Sequence, residues 1–473
     1  VKILLDLPGE GKIIEGPGPI APGLECIAVP HGLQIASTEP DFHDGGRLIP
    51  VDLMTPLEPC LSRGIEATDP RRFIAPGERW SFLSPDAVAD LLPPNDATCD
   101  MVIGVLAKRI RFDLLDQYPR IDRVLSCFGD KNIPKNAPAG EHDLGWMMRY
   151  WSHRAGGRPL QGEFESTATH GSDGWSNFHY HELLWVALNF LRNRRPADWW
   201  LGLRMAFAQS SWGMVYHGKF RGMFKGEKGA EFFGQGFQPD WGKQYFLSLV
   251  VWWYLTNKHP IIDAAIQAHL ECLKRTPATW WGGSWGERQP ARYLESLETA
   301  FIVTGDEAFR AKATQAVAHI WGKRNTNGLW INIESPNTTS PWMHGKLINN
   351  LMRWEALGVV GPKPAAEAAR VAIEKGTTDV DGFPAVWYRF AGPEKALGST
   401  ALAGFMLPML RKLNAQEAQR WTDFAYGDYL GSSWGRVRAK NPLPIDEVSI
   451  DVPEQGLSGW PKACKELLCG LID

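Results

Sequence analysis

A helix–turn–helix unit recurs five times along this chain, and each first helix opens on a polar cluster. The first helices read HYHELLWVALNFL from His179, WGKQYFLSLVVWWYL from Trp241 and RQPARYLESLETAFIV from Arg288. Two weaker copies are WMHGKLINNLMRWEAL from Trp342 and ALGSTALAGFMLPMLRKL from Ala396. The turns RNRRP, TNKHP, TGDEA, GVVGPKP and NAQEA follow them, then second helices such as IIDAAIQAHLECLKR and AFRAKATQAVAHIW. The period is roughly fifty residues, the range of repeat arrays. A lone hairpin leaves an apolar face open, so neighbours must stack. The hairpins are unequal, and the loops before the first helices are long and carry Gly, Trp, His and charge. These features favour a closed ring, an α/α toroid of helical hairpins, over an open solenoid. The predicted fold class is mainly α.

The flanks differ from this array. Residues 1–140 are rich in Pro and Gly, with short runs such as LECIAVPHGLQIAS and MVIGVLAKRIRF that read as strands between turns. They are expected to form an irregular β-rich domain, with SPDAVADLL as one short helix capped by Ser84. The toroid is expected over 141–432, and 433–473 as a loop and strand extension in which KACKELLCGLID is a last short helix.

With 473 residues, 44% of them hydrophobic, the chain has ample material for a large core. The net charge of -3 is spread over both signs, and no basic stripe argues for nucleic acid. No apolar run reaches membrane-spanning length. Residue 1 is Val, so a signal peptide lies outside the chain if there was one. None of the seven cysteines forms a CxxC pair, which argues against a zinc ribbon. A Cys464–Cys469 bridge and buried free thiols are both open.

Tryptophan is abundant at 22 residues, and several sit beside Gly and charge, as in WWGGSWGER and HGSDGWSNFHYHE. Indole faces pack on sugar rings while the N–H bonds a hydroxyl. The alternative is that Trp fills wide gaps between helices, as in VVWWYL.

The segments HYHELLWVALNFLRNRRPADWWLGLRMA, YHGKFRGMFKGEKG and WGKQYFLSLVVWWYLTNKHPIIDAA resemble the α/α-toroid part of rhamnogalacturonan exolyase-like proteins. GGSWGERQPARYLESLETAFIVTGDEAFRAKA is similar to the wider group of six-hairpin glycan-active enzymes. The resemblance spans about residues 140 to 420 and implies an active cleft in the toroid with β-rich flanks. No catalytic residue is carried over from it.

In a ring of hairpins all inner helices run one way, so their N-termini meet at one mouth. That predicts a shared opening lined by His179–Glu182, Trp241–Gln244, Glu287–Tyr293 and Trp342–Lys346. Helix N-termini favour anions, and uronate carboxylates suit such a mouth. The substrate-binding candidates are His170, Asp173, Trp175, His179, Glu182, Trp241, Lys243, Gln244, Trp285, Arg288, Trp342, His344 and Tyr388. The catalytic candidates are Tyr180, His181, His217, Glu287 and Arg292. Each has a structural alternative: the first cluster as helix caps, the His217 loop as a solvated loop, Glu287 with Arg292 as an internal ion pair. No HExxH or similar metal spacing occurs, so no metal or cofactor is assigned, with a divalent cation as the minor alternative. DVDG at Asp379–Gly382 lacks the later ligands of a calcium loop and reads as a turn.

Two routes of glycan cleavage compete. A hydrolase needs two carboxyl groups, for which Asp173, Glu182, Glu227 and Glu287 are candidates. A lyase acting by β-elimination on a uronate polysaccharide needs a base and a cation at the enolate. His181, Tyr180 or His217 would be the base and Arg288, Arg292 or Lys243 the neutraliser. The clusters hold more His, Tyr, Arg and Lys than carboxylates, and the resemblance leans the same way, so a polysaccharide lyase is the expected activity. A non-catalytic glycan-binding or assembly module is the third reading. A polysaccharide or oligosaccharide partner implies an extracellular or periplasmic setting.

Overall fold

The computed structural model describes residues 92–118, 121, 125, 181–210, 214–215, 220–224, 241–279, 287–324, 328–330, 340–380, 383–389, 396–397, 402–428 and 468–472, together with seven earlier strands. Those strands are β1 (Ile3–Leu7), β2 (Glu10–Ile14), β3 (Gly18–Ala21), β4 (Leu24–Val29), β5 (Gly32–Ser37), β6 (Gly45–Pro50) and β7 (Arg79–Leu83). β1 and β2 form a hairpin, and β4 pairs antiparallel with β5, Leu24 opposite Ser37. The six-stranded sheet runs β3-β4-β5-β7-β6-β8, where β8 is Met214–Val215. Gly46 lies opposite Met214, so this sheet takes an edge strand from the helical part.

The run MVIGVLAKRIRF is not a strand. Its first half belongs to α1 (Asp96–Leu106), capped by the Asn95 side chain accepting from Thr98 N–H at 2.9 Å. Cys99, Val102 and Leu106 are buried at helical spacing, which overrides the β-propensity of the branched residues. A short helix α2 (Phe112–Gln117) follows.

Five hairpins come next: α3 (Glu182–Asn193) with α4 (Pro196–Ser210), α5 (Phe246–Leu255) with α6 (Pro260–Arg275), and α7 (Arg288–Thr304) with α8 (Glu307–Gly322). The last two are α9 (Pro341–Ala356) with α10 (Ala365–Gly376), and α11 (Ala403–Leu413) with α12 (Ala415–Thr422). The turns carry their own stop and start signals. Gly305 ends α7 at φ 68, and Asp306 then caps α8 by accepting from Ala308 N–H at 2.9 Å. Asn414 does the same for α12, accepting from Glu417 N–H at 3.1 Å.

The first helices pack on one another in chain order: α3 on α5, α5 on α7, α7 on α9, α9 on α11. α4, α6 and α8 form a second layer behind them. The chain is therefore mainly α, with an inner row of helices buried on most faces; every α7 residue from Pro290 to Ala300 is buried. Two indoles tie the inner row at the backbone. Trp252 N–H donates to Leu183 O at 2.9 Å, and Trp354 N–H donates to Leu294 O at 3.0 Å. α4 can approach this seam because Gly202 has no side chain: a Cβ there would lie 1.9 Å from the Trp252 ring.

The fifth hairpin departs from expectation. Residues Ala396–Leu397 form β11, not helix, and pair with β10 (Phe383–Arg389), which also pairs with β9 (Thr377–Val380). Tyr388 and Arg389 lie on that strand, not in a loop. Val380 faces Phe383 across the β9–β10 pair, so Asp379 and Val380 of DVDG are strand, and its last two residues lie outside the described residues. The expected helix over SPDAVADLL, residues 84–92, falls almost wholly outside the described residues.

Residues 107–118 cross the end of the inner row away from the helix starts. Arg109 reaches Glu298 and Thr299 of α7, and Tyr118 donates to Asp423 just past α12 at 2.5 Å. Residues 468–472 dock beside them, with Ile110 bridged to Ile472 and Arg411 donating to Gly470 O at 2.6 Å. Cys469 there is buried, and Cys464 lies outside the described residues. Among the described residues, no helix is long and apolar enough to cross a membrane.

Candidate functional site

Two facing helices carry polar stripes where an inner helix should be apolar. On α7 these are Arg292, Glu295, Ser296 and Thr299; on α9, Lys346, Asn349, Asn350 and Arg353. Each set steps i, i+3, i+4, i+7, which places it on one helix face. All but Lys346 are buried, and the Lys346 side chain is 14% exposed.

Glu295 is the hub at the helix starts. One carboxylate oxygen accepts from His181 Nε2 at 3.0 Å; the other takes Arg292 Nη1 at 2.6 Å and Lys346 Nζ at 3.4 Å. Arg292 Nη1 also sits against His181 Nε2. His181 Nδ1 meets Ser248 Oγ at 3.0 Å, and the Arg292 guanidinium lies 4.0 Å from the Tyr245 ring centre. α3, α5, α7 and α9 thus bring their first turns together at one end, as parallel inner helices require. His181 is held at φ 63, a left-handed conformation that costs a non-glycine residue about 1 kcal/mol or more.

Burial sets the protonation states here. It drives His181 down to about 3, with Arg292 adding to the effect, so the imidazole is neutral. Burial alone would raise the Glu295 carboxyl, but Lys346, Arg292 and His181 hold it well below the usual carboxylate range. Burial, then the Arg292 charge, lowers the Lys346 amine to about 7. One layer deeper, Glu298 accepts from Arg353 Nη2 at 2.6 Å and from Arg109 Nη2 at 3.1 Å. Burial, then the Arg353 charge, lowers Arg109 to about 10.

The expected site residues divide into three groups. His170, Asp173, Trp175, His179, Tyr180, His217, Glu227 and Trp285 lie outside the described residues, and the side chains of Lys243 and Tyr388 are likewise not described. His181 and Arg292 do come together, both buried and both bonded to Glu295. The remaining residues have these surroundings. Trp241 is fully buried and meets Tyr293 edge-on at 4.7 Å; Trp342 is 3% exposed and lies 5.1 Å from the Phe405 ring. The Arg288 guanidinium sits 5.7 Å from the Trp342 ring. Glu182 is buried in the first turn of α3. Glu287 pairs with His344 at 3.5 Å, not with Arg292, and His344 Nε2 accepts from Trp330 N–H at 2.9 Å.

Gln244 clamps the backbone of Phe224. Its amide oxygen accepts from Phe224 N–H at 2.7 Å and its NH2 donates to Phe224 O at 3.1 Å. His269 completes the anchor, with Nδ1 2.6 Å from Gly222 O and its ring stacked on Phe224. Gly222 is at φ 87, and a Cβ there would lie 2.0 Å from Ala268 O. This anchor fixes the start of the basic, Gly-rich loop expected to meet substrate.

Glu295, Asn349, Asn350, Glu298 and Arg353 were not among the expected site residues. Their signal was in the sequence: a charged or amide residue every third or fourth position inside RYLESLETAF and KLINNLMRW. A helix flanked on both sides by neighbours has no solvated face for such residues. Among the described residues, no group of His, Cys, Asp and Glu could hold a metal ion.

No family model matches this sequence, and no curated protein matches it. The likeness to rhamnogalacturonan exolyase-like proteins therefore stays at the level of helical cadence. Among solved structures the chain is similar to a family 76 glycoside hydrolase from a bovine Bacteroides thetaiotaomicron strain, at 13% identity and a TM-score of 0.31. That match covers 50% of this chain and 56% of the other, so it spans about half of each.

Proposed function

We propose that the protein acts on a carbohydrate polymer lying across the end of the array where the inner helices begin. The observation that supports this reading is the meeting of His181, Ser248, Arg292 and Lys346, from four successive first helices, at one end. The segments that precede those helices in sequence hold Trp175, Trp285, Asp173 and the Gly-rich stretches. In this reading residues 141–432 form a closed α/α toroid between flanks 1–140 and 433–473, with residues 96–121 packed against its far end.

Hydrolysis is the favoured chemistry. The sequence argument for β-elimination rested on a His or Tyr base beside an Arg or Lys cation. His181 is buried, neutral and bonded on both nitrogens, and Arg292 is committed to Glu295. That takes two leading members of the lyase set away from a substrate. Glu295, held ionised, is also unsuited to be the protonated acid of a glycosidase. The carboxyl pair is then sought among Asp173, Glu182, Glu227 and Glu287. A non-catalytic glycan-binding module is the second reading, favoured by the burial of Trp241, Trp342 and His344.

A panel of neutral and acidic polysaccharides, followed for reducing ends and for unsaturated-uronate absorbance, tests this. Reducing ends without new absorbance support hydrolysis. Absorbance rising with reducing ends restores elimination. Neither signal, with retention on an immobilised glycan, leaves the binding module.

A further inference from the structure

Residues 468–472 are held as a bound peptide is held. Three successive carbonyls are each caught by a different element. Gly470 O accepts from Arg411 Nη2 of α11 at 2.6 Å, and Leu471 O accepts from the Arg111 backbone N–H at 2.9 Å. Ile472 O accepts from Asn349 Nδ2 of α9 at 3.4 Å, and the Asn349 oxygen is itself fixed by Lys412 Nζ at 2.8 Å. Ile472 also faces Ile110 across an antiparallel bridge. Main-chain bonds of this kind give a peptide its affinity, and pockets for its side chains choose the sequence.

The pockets are selective. Leu468 and Leu471 are fully buried, and Cys469 and Ile472 are nearly so. Gly470 is required by close approach: a Cβ there would collide with the Tyr426 hydroxyl and lie 3.1 Å from Gly404 Cα of α11. The segment's internal bond is Ile472 N–H to Cys469 O at 3.2 Å, while its other bonds reach elements far away in sequence. Residues 429–467 separate it from the end of the fifth hairpin, 39 residues with a contour length of about 130 Å. Such a groove makes the same contacts with its own segment as with that of another molecule, and the two differ in effective concentration.

We propose that this groove, between α9, α11 and residues 107–118, also accepts segment 468–472 of a second copy of this chain, so that two molecules associate by reciprocal exchange. A second copy is the occupant the pockets favour, because every copy carries the sequence they select. Exchange of one identical element needs no new surface and closes as a two-fold dimer. The groove lies at the end of the inner row away from the helix starts, so the proposal stands apart from the glycan reading.

The test uses full chains. Tagged and untagged wild type are mixed at high concentration, warmed below the unfolding midpoint, diluted and captured on the tag. Untagged chain should co-purify, and should cease to do so when both chains carry Gly470→Val, whose side chain collides in the groove. Arg411→Glu damages the groove and spares the segment. A mixture of Gly470→Val with Arg411→Glu keeps one intact groove and one intact segment. It should therefore give a one-to-one dimer in sedimentation, although neither variant pairs with itself. Excess synthetic peptide of residues 466–473 should suppress wild-type exchange, and the same peptide with Gly470→Val should not, a readout that needs no variant chain to fold. No co-purification of wild type, co-purification that survives Gly470→Val on both chains, or indifference to the peptide overturns the proposal.

Discussion

Arg353 and Arg109 grip the two oxygens of Glu298 from opposite sides, at 2.6 Å and 3.1 Å, so one carboxylate joins α9 and the 107–118 segment to α7. Glu298 is 3% exposed. Removing it strands two buried guanidiniums, and Glu298→Ala should cost about 3–5 kcal/mol. Urea unfolding checks this. A loss under about 1 kcal/mol would mean that water reaches the pair.

Gly202 and Trp252 form a matched contact that predicts coupled mutants. Gly202→Ala drives a methyl into the Trp252 ring, and overpacking of this kind costs about 1–3 kcal/mol. Trp252→Phe alone loses the bond to Leu183 O and some core volume. The double variant should be more stable than the sum of the two losses, because the smaller ring makes room for the methyl. Strict additivity in a double-mutant cycle would refute the contact.

Acid should weaken the fold through its buried imidazoles. Burial lowers His269 to about 4 and His181 to about 3, from an ordinary 6.5. Below 6.5 the unfolded chain takes up protons that the fold refuses, so this stability is present above pH 6.5 and lost as pH falls through about 4. For His269 the loss is on the order of 3 kcal/mol. His269→Gln keeps a donor for Gly222 O and removes the titration. Its stability should fall less steeply than wild type between pH 6.5 and 4, as followed by denaturant midpoints.

Gln244 anchors the 220–224 turn, so Gln244→Ala leaves the buried N–H and C=O of Phe224 without it. Each unsatisfied group costs about 1–3 kcal/mol. Limited proteolysis should then cut faster within 216–240, with the helical hairpins still resistant. An unchanged cleavage pattern would show that His269 and Gly222 hold the turn alone.

The cadence of five hairpins was legible because apolar spacing is joined to signals that act locally: Gly305 stops α7, and Asp306 and Asn414 cap α8 and α12. MVIGVLAKRIRF misled because Val102, Ile103 and Val105 favour strands in isolation, whereas burial against the hairpins selects helix. The Ala396 helix misled for the opposite reason: strand β10 lies close by, and Ala396–Leu397 pair with it instead. The site was only half legible. His181 and Arg292 stood out as residue types, but sequence could not tell exposure from burial, and both turned out to be interior. The Lys346–Arg353 stripe was overlooked because each residue alone looks like an ordinary exposed helix position. Only its fixed spacing on a helix enclosed by neighbours marks it as interior chemistry.

The bond from Tyr118 to Asp423 spans 305 residues and bears on the order of events during synthesis. Each hairpin can finish soon after it leaves the ribosome, because its partners are near in sequence. The base that 107–118 provides is made early, yet it waits for α12 and for residues 468–472 before its own contacts are complete. Through most of translation the inner row therefore lacks its last members. The apolar flank of α9 is exposed for as long as the last hairpin takes to emerge, a window in which a chaperone or a second nascent chain competes with its docking.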